Sequence, residues 1–199
     1  PMRYFPLFAD LRGRRVLVVG GGEVAERKVR LLVEAGADVQ VVSPELSPWL
    51  ASRERGSVTW IATEFDASQL AGVVLVVAAT NDASVNALVS QAARAANVFA
   101  NVVDDAERST VIVPAIVDRS PLVIAISTGG AAPVLARLVR ERIETVIDGS
   151  FGQLAVLLER GRARIKARLP GIDVRRRFYE RLVRGEVADL VRRQDEAAA

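Results

Sequence analysis

"VLVVGGGEVAERK", residues 16–28, decides the fold. Four apolar residues, Val16 to Val19, run into three glycines, and a helical pattern begins directly after them. Gly20, Gly22 and Ala25 fit G-x-G-x-x-[GA] between a buried strand and a helix, where dinucleotide binding needs the motif. Gly20 permits a tight turn, Gly22 lets the backbone approach a pyrophosphate, and Ala25 is small enough for the helix to pack closely on the strand. The first helical turn then offers free N–H groups and a partial positive charge to phosphates. A tight strand–helix turn that binds nothing is the alternative reading.

Outward from this stretch, Arg15 to Val19 forms the strand. The helix runs from about Val24 to Glu34, with Val24, Ala25, Val29, Leu32 and Val33 as its apolar stripe. Gly36 closes it. A second strand covers 38–42. "SVTWIA" (57–62), "VVLVVAAT" (73–80) and "VFANVV" (98–103) read as three more strands, and "ASVNALVSQAARAANV" (83–98) as a helix. The fourth strand is apolar throughout, as a strand covered on both faces must be. Strands alternating with helices imply a parallel sheet with right-handed crossovers.

The rhythm changes at "STVIVPAIVDRSPLVIAIST", residues 109–128. Two β-rich runs flank "DRSP" with no room for a helix, which predicts an antiparallel pair grafted on the sheet. "AAPVLARLVRERIETVID" (131–148) reads as a helix with Pro133 near its first turn. "SFGQLAVLLERGRARIKARL" (150–169) and "DVRRRFYERLVRG" (173–185) are further helices, split by Pro170-Gly171. The tail at 195–199 is expected to fray.

With 199 residues, half of them apolar, the chain can bury one full domain and a smaller second one. No apolar run approaches the roughly 20 residues that span a bilayer. The N-terminus lacks a signal-peptide layout, and Pro1 reads as a cloning remnant before a native Met2. A chain without cysteine has no disulfide or thiolate chemistry, and the cytoplasm is its default compartment. Its 25 arginines outnumber two lysines, Lys28 and Lys166, and crowd the last third. Interspersed acids favour a solvated helix face, and the absence of interleaved aromatics argues against nucleic acid. With no His either, no imidazole or thiolate cage for a metal exists.

The second strand ends in Val42-Ser43-Pro44-Glu45. Ser43 can hydrogen-bond a ribose hydroxyl, Glu45 lies slightly late, and no arginine there welcomes a 2′-phosphate, which favours NAD over NADP. Thr80 and Asn81 fall at the carboxyl edge of the sheet, where such folds bind ligands.

"GGGEVAERKVRLLVEAGA", "NVVDD", "PAIVDRSPLVIAISTGGAAPVLARLVRERIE" and "RRRFYERL" together resemble the precorrin-2 dehydrogenase/sirohydrochlorin ferrochelatase family, within it the N-terminal half of bacterial sirohaem synthases. The resemblance covers essentially the whole chain. It implies an α/β protein: a Rossmann-like NAD-binding domain (1–113), a β-hairpin/helix dimerisation segment (114–149) and a C-terminal helical substrate-binding domain (150–199). The implied reaction is NAD-dependent oxidation of precorrin-2 to sirohydrochlorin by a homodimer. Insertion of ferrous iron, held by the macrocycle's own nitrogens, follows in some members, whereas others only dehydrogenate. The aspartate closing the "NVVD" strand, here Asp104, is implied as the acid/base; its neighbour Asp105 is not. Cofactor contacts are implied around Gly20, Gly22, Glu23 and Val24, at Ser43 and Pro44, and at Asn101 and Val102.

A carboxylate in reach of the macrocycle could accept the protons that oxidation and metal insertion both release. "STGGAAP", residues 127–133, opens the helix bearing Arg137 and Arg140, and its exposed N–H groups at Thr128, Gly129 and Gly130 suit the substrate's many carboxylates. Relatives carry a phosphorylatable serine where this chain has Thr128. Arg119 is a candidate for the subunit interface. Full sirohaem synthases continue into a methyltransferase domain, and this chain stops at "DEAAA". A non-enzymatic, dimeric NAD(H)-sensing module is the second reading; it needs the glycine turn but neither "NVVDD" nor "STGGAAP".

Overall fold

A computed structural model of the protein describes residues 3–53 and 56–193. The expectations about Pro1 and the tail at 195–199 lie outside the described residues. The chain divides into two compact units, to Val113 and from Pro114.

The first unit is built on five parallel strands: β1 (Arg15–Val19), β2 (Asp38–Val42), β3 (Val58–Ala62), β4 (Val73–Ala78) and β5 (Phe99–Val102). Their spatial order is β3-β2-β1-β4-β5, so the winding reverses between β1 and β4. β1 is central, and its side chains alternate between two cores. Val16 and Val18 join Ala25, Val29 and Leu32 of α1 (Glu23–Glu34) on one face; Leu17 and Val19 join Val89 and Ala93 of α3 (Ala83–Ala95) on the other. Each of these fully buried valines contributes on the order of 2 kcal/mol of apolar burial. Covering on both faces is why β1 and β4 read as unbroken apolar runs.

Two elements of the first unit went unread in the sequence. A short helix, α2 (Pro48–Arg53), follows β2, held by the fully buried Leu50. A single 3₁₀ turn at Ala67–Leu70 is capped by Asp66, which accepts the Ser68 N–H, with Gln69 reaching back to the Asp66 N–H.

In the second unit, β6 (Ala115–Arg119) and β7 (Leu122–Ile126) pair antiparallel around a cis Ser120–Pro121 bond. This hairpin is a two-stranded sheet of its own, which corrects the expectation that it is grafted on the parallel sheet. The reason lies in 109–113, which read as β-rich but pads the open edge of β5 instead. Ser109 Oγ accepts the Val102 N–H at 2.9 Å, Thr110 Oγ1 accepts the Ala100 N–H at 2.8 Å, and Asn101 Nδ2 donates to the Val111 carbonyl. Hydroxyl groups thus satisfy an edge that a sixth strand would otherwise fill.

Four helices complete this unit: α4 (Pro133–Val146), α5 (Gly149–Arg168), α6 (Ile172–Arg184) and α7 (Glu186–Arg192). Pro133 occupies the first turn of α4, and the Asp148 carboxylate caps α5 through the Ser150 N–H. α7 was not foreseen; Ala188 and Val191 form it by packing on Leu154 of α5.

Candidate functional site

Four strand ends lie side by side at the carboxyl edge of the parallel sheet, and backbone bonds continue the ladders past them. The Gly20 N–H donates to the Val42 carbonyl and the Ala79 N–H to Val19, each at 2.8 Å; the Val103 N–H donates to Ala78 at 2.9 Å. The glycine turn, Ser43, Thr80 and Asp104 are therefore brought to one edge, at the point where the winding reverses.

The three glycines have separate duties. Gly20 has φ +123°, and a Cβ there would press on the Ala79 peptide, 2.8 Å from its carbonyl carbon. Gly21, unread in the sequence, is the most confined of the three. A Cβ on it would fall 2.6 Å from Ser43 Oγ and nearer still to the Glu45 carbonyl oxygen. Gly22 faces open space and is the N-terminal cap of α1, without any side chain to bond the first-turn N–H groups. A diphosphate would find an uncrowded backbone there, with donors still in need of acceptors. Glu23 and Val24 are exposed on that turn, and Ala25 is fully buried beneath it.

The loop after β2 is tied down against this turn. Ser43, nearly buried, donates to the Glu45 carbonyl at 2.7 Å, so its hydroxyl has only acceptor capacity left for a ligand. Pro44 beside it is exposed. The Ser47 N–H donates to the Gly21 carbonyl at 2.7 Å, and the Ser47 hydroxyl to Glu26 at 2.7 Å. That hydroxyl, and then the Arg30 guanidinium, hold the Glu26 carboxyl below the usual glutamate range. Arg30 also stacks on Trp49, 4.0 Å from the ring centroid. Thr80 is engaged locally, its hydroxyl 2.8 Å from Asn86 Oδ1.

At the end of β5 the two aspartates differ sharply. Asp105 accepts the Arg108 backbone N–H at 2.9 Å and pairs with its guanidinium, which together hold its carboxyl below the usual range. It shapes the loop. Asp104 is exposed, has the left-handed φ of +60°, and among the described residues makes no hydrogen bond through its carboxylate. Strand-end capping therefore does not account for it. Three residues earlier, Asn101 is 7% exposed and its Oδ1 is a buried acceptor without a partner among the described residues. Such an atom needs a reason, and a ligand N–H would supply one. Val102 beside it is buried.

In the second unit, Gly129 and Gly130 have φ of +67° and +87°. Thr128 Oγ1 accepts the Ala132 N–H at 3.1 Å, which leaves its hydroxyl hydrogen free to donate. Arg137 and Arg140 face Glu141 and Glu144 across one helical turn. Arg119 makes hydrogen bonds within its own unit, Nε donating to the Ile147 carbonyl at 2.9 Å and Nη1 to the Asp118 carbonyl at 2.9 Å.

Three family models tile the chain: "Putative NAD(P)-binding" over residues 7–115, "Sirohaem biosynthesis protein central" over 119–145 and "Sirohaem synthase dimerisation region" over 150–199. The chain belongs to the sirohaem synthase and precorrin-2 dehydrogenase family. Among this family, it is 53% identical to "Siroheme synthase 1" of Pectobacterium atrosepticum over 96% of its own length and 40% of the relative's. It is 51% identical to "Siroheme synthase" of Chromobacterium violaceum over 100% of its length and 42% of the relative's. The chain thus spans less than half of these curated relatives. A solved structure of the family, "SirC, precorrin-2 dehydrogenase", superposes with a TM-score of 0.75 at 26% identity, covering 98% of this chain and 100% of that one. The Rossmann-like fold read from the glycine turn is the fold observed.

Proposed function

We propose that the protein oxidises precorrin-2 to sirohydrochlorin with NAD, as a homodimer in the cytoplasm, and that ferrous iron is a substrate of the same site. The observation that carries this reading is the pairing of an open, donor-rich glycine turn with a carboxylate, Asp104, that has no structural duty. A sensing module would need the first and not the second, so the non-enzymatic alternative is not favoured.

Gly20, Gly22, Glu23, Val24 and Ala25 would hold the diphosphate, and Ser43, Pro44 and Thr80 the adenosine side. Asn101 and Val102 would meet the nicotinamide end. Bound NAD supplies a two-electron acceptor that takes up hydride. The protein's own part is the proton: the oxidation removes two hydrogens from the macrocycle, one as hydride and one as H⁺, and the Asp104 carboxylate accepts the latter. When iron enters, pyrrole N–H protons must leave, and the same carboxylate is available to them. The Thr128–Gly130 turn would receive substrate carboxylates through the Thr128 hydroxyl hydrogen and the Gly130 N–H; the Gly129 N–H, expected to be free as well, instead donates to Ser127 Oγ at 2.9 Å.

Dimer formation fits the second unit in two ways. The sequence reading assigns the contact to 114–149, where Val134, Leu135, Leu138 and Val146 are exposed. The family description attaches dimerisation to 150–199, where Ile172, Val174 and Val183 are exposed.

The test is Asp104→Asn. Asparagine tolerates the left-handed backbone, so the variant should fold and bind NAD as the wild type does while turnover falls about 100-fold or more. Full turnover in a folded Asp104→Asn protein would remove the proposed role.

A further inference from the structure

Lys28 is one of only two lysines in a chain that otherwise takes arginine for its cations. It stands on α1 just past the glycine turn, where its cationic neighbours are Arg27 and Arg30. Ala25, Val29 and Leu32 around it are buried against the sheet, and Lys28 itself is half-buried. Arg30 has partners in Glu26 and Trp49. Among the described residues, Lys28 has no hydrogen-bonding partner, and the charged groups that act on it are Asp104, from the loop after β5, and Arg27 of its own helix. Burial lowers its pKa first and Asp104 raises it.

Val103 packs against the core that holds Ala25 and Val29, so the chain leaves β5 on the side of the sheet that α1 covers. Asn101 lies on that face too, since its register partner Val77 is part of the same core. The residue after Val103 is Asp104, whose left-handed backbone ends the extended run.

Resting on the dehydrogenase reading above, we infer that Lys28 is a positioning residue for Asp104: its ammonium attracts and orients the carboxylate that takes the substrate proton. Lysine suits this better than arginine. A guanidinium fork engages both oxygens of a carboxylate at once, whereas a single ammonium leaves one oxygen free to accept a proton.

With two lysines in the chain, protein labelled at lysine ¹³Cε gives two NMR signals, assigned with Lys166→Arg. In Asp104→Asn the Lys28 titration midpoint should fall, with the Lys166 signal unmoved. In turnover, Lys28→Met should lower kcat about tenfold with NAD affinity and substrate KM within about twofold, and Lys28→Arg should recover part of that loss. A Lys28 midpoint indifferent to Asp104→Asn, or wild-type kcat in Lys28→Met, would overturn the inference. If the wild type makes no NADH, the dehydrogenase reading fails, while the titration still decides whether the pair exists.

Discussion

The glycines of "VVGGGEV" separate two effects that a motif match blends together. Gly21→Ala should lower the unfolding free energy by roughly 2 kcal/mol or more, because its Cβ would collide with Ser43 and the Glu45 carbonyl. Gly22→Ala should stay within about 1 kcal/mol of wild type, since nothing lies within 4 Å, yet lose about tenfold or more in NAD affinity by crowding the diphosphate. Urea unfolding and calorimetric titration of NAD distinguish the two. The sequence pointed to Gly20 and Gly22 through spacing alone. It could not single out Gly21, whose constraint comes from a loop more than twenty positions away. Asp104 and Asp105 were likewise separable by resemblance only; the difference became physical once Arg108 was seen to hold Asp105, while the Asp104 carboxylate has no hydrogen-bond partner among the described residues. Lys28 carried no signal beyond its rarity.

At the scale of elements, the parallel sheet was legible because its strands are buried on both faces and write continuous apolar runs. The hairpin's attachment was not. "STVIV" has strand composition, but its hydroxyls serve the β5 edge, a use that alternation cannot reveal. Ser109→Ala should leave the buried Val102 N–H unpaired and cost about 1–3 kcal/mol, read as a lower urea midpoint. α7 was hidden for a related reason: seven residues carry little intrinsic helical preference, and contacts with α5 hold them. The loop after β2 depends on pH through Glu26. Its carboxyl is lowered by Ser47 and Arg30, so its stabilising share is present above the ordinary glutamate pKa and lost as pH falls through the lowered one. Glu26→Gln should therefore lower the neutral side of a melting-temperature profile and flatten its acid limb, so that variant and wild type converge at low pH. An unchanged acid limb would contradict this.

For the whole molecule, charge decided less than it promised. The arginine-rich last third carries short-range pairs such as Arg176–Glu180 and Arg192–Asp189, which are exposed and each worth about 0–1 kcal/mol. The apolar side chains left exposed on α4 and α6 matter more. If 114–149 forms the dimer contact, Leu135→Arg should give a monomer by light scattering and Ile172→Arg should not; if 150–199 does, the pattern reverses. The proposed oxidation is decided by anaerobic incubation with precorrin-2 and NAD, following NADH absorbance and the macrocycle spectrum in one cuvette. NADH formed mole for mole with sirohydrochlorin is the predicted result. A folded protein that binds NAD yet forms no NADH would contradict it.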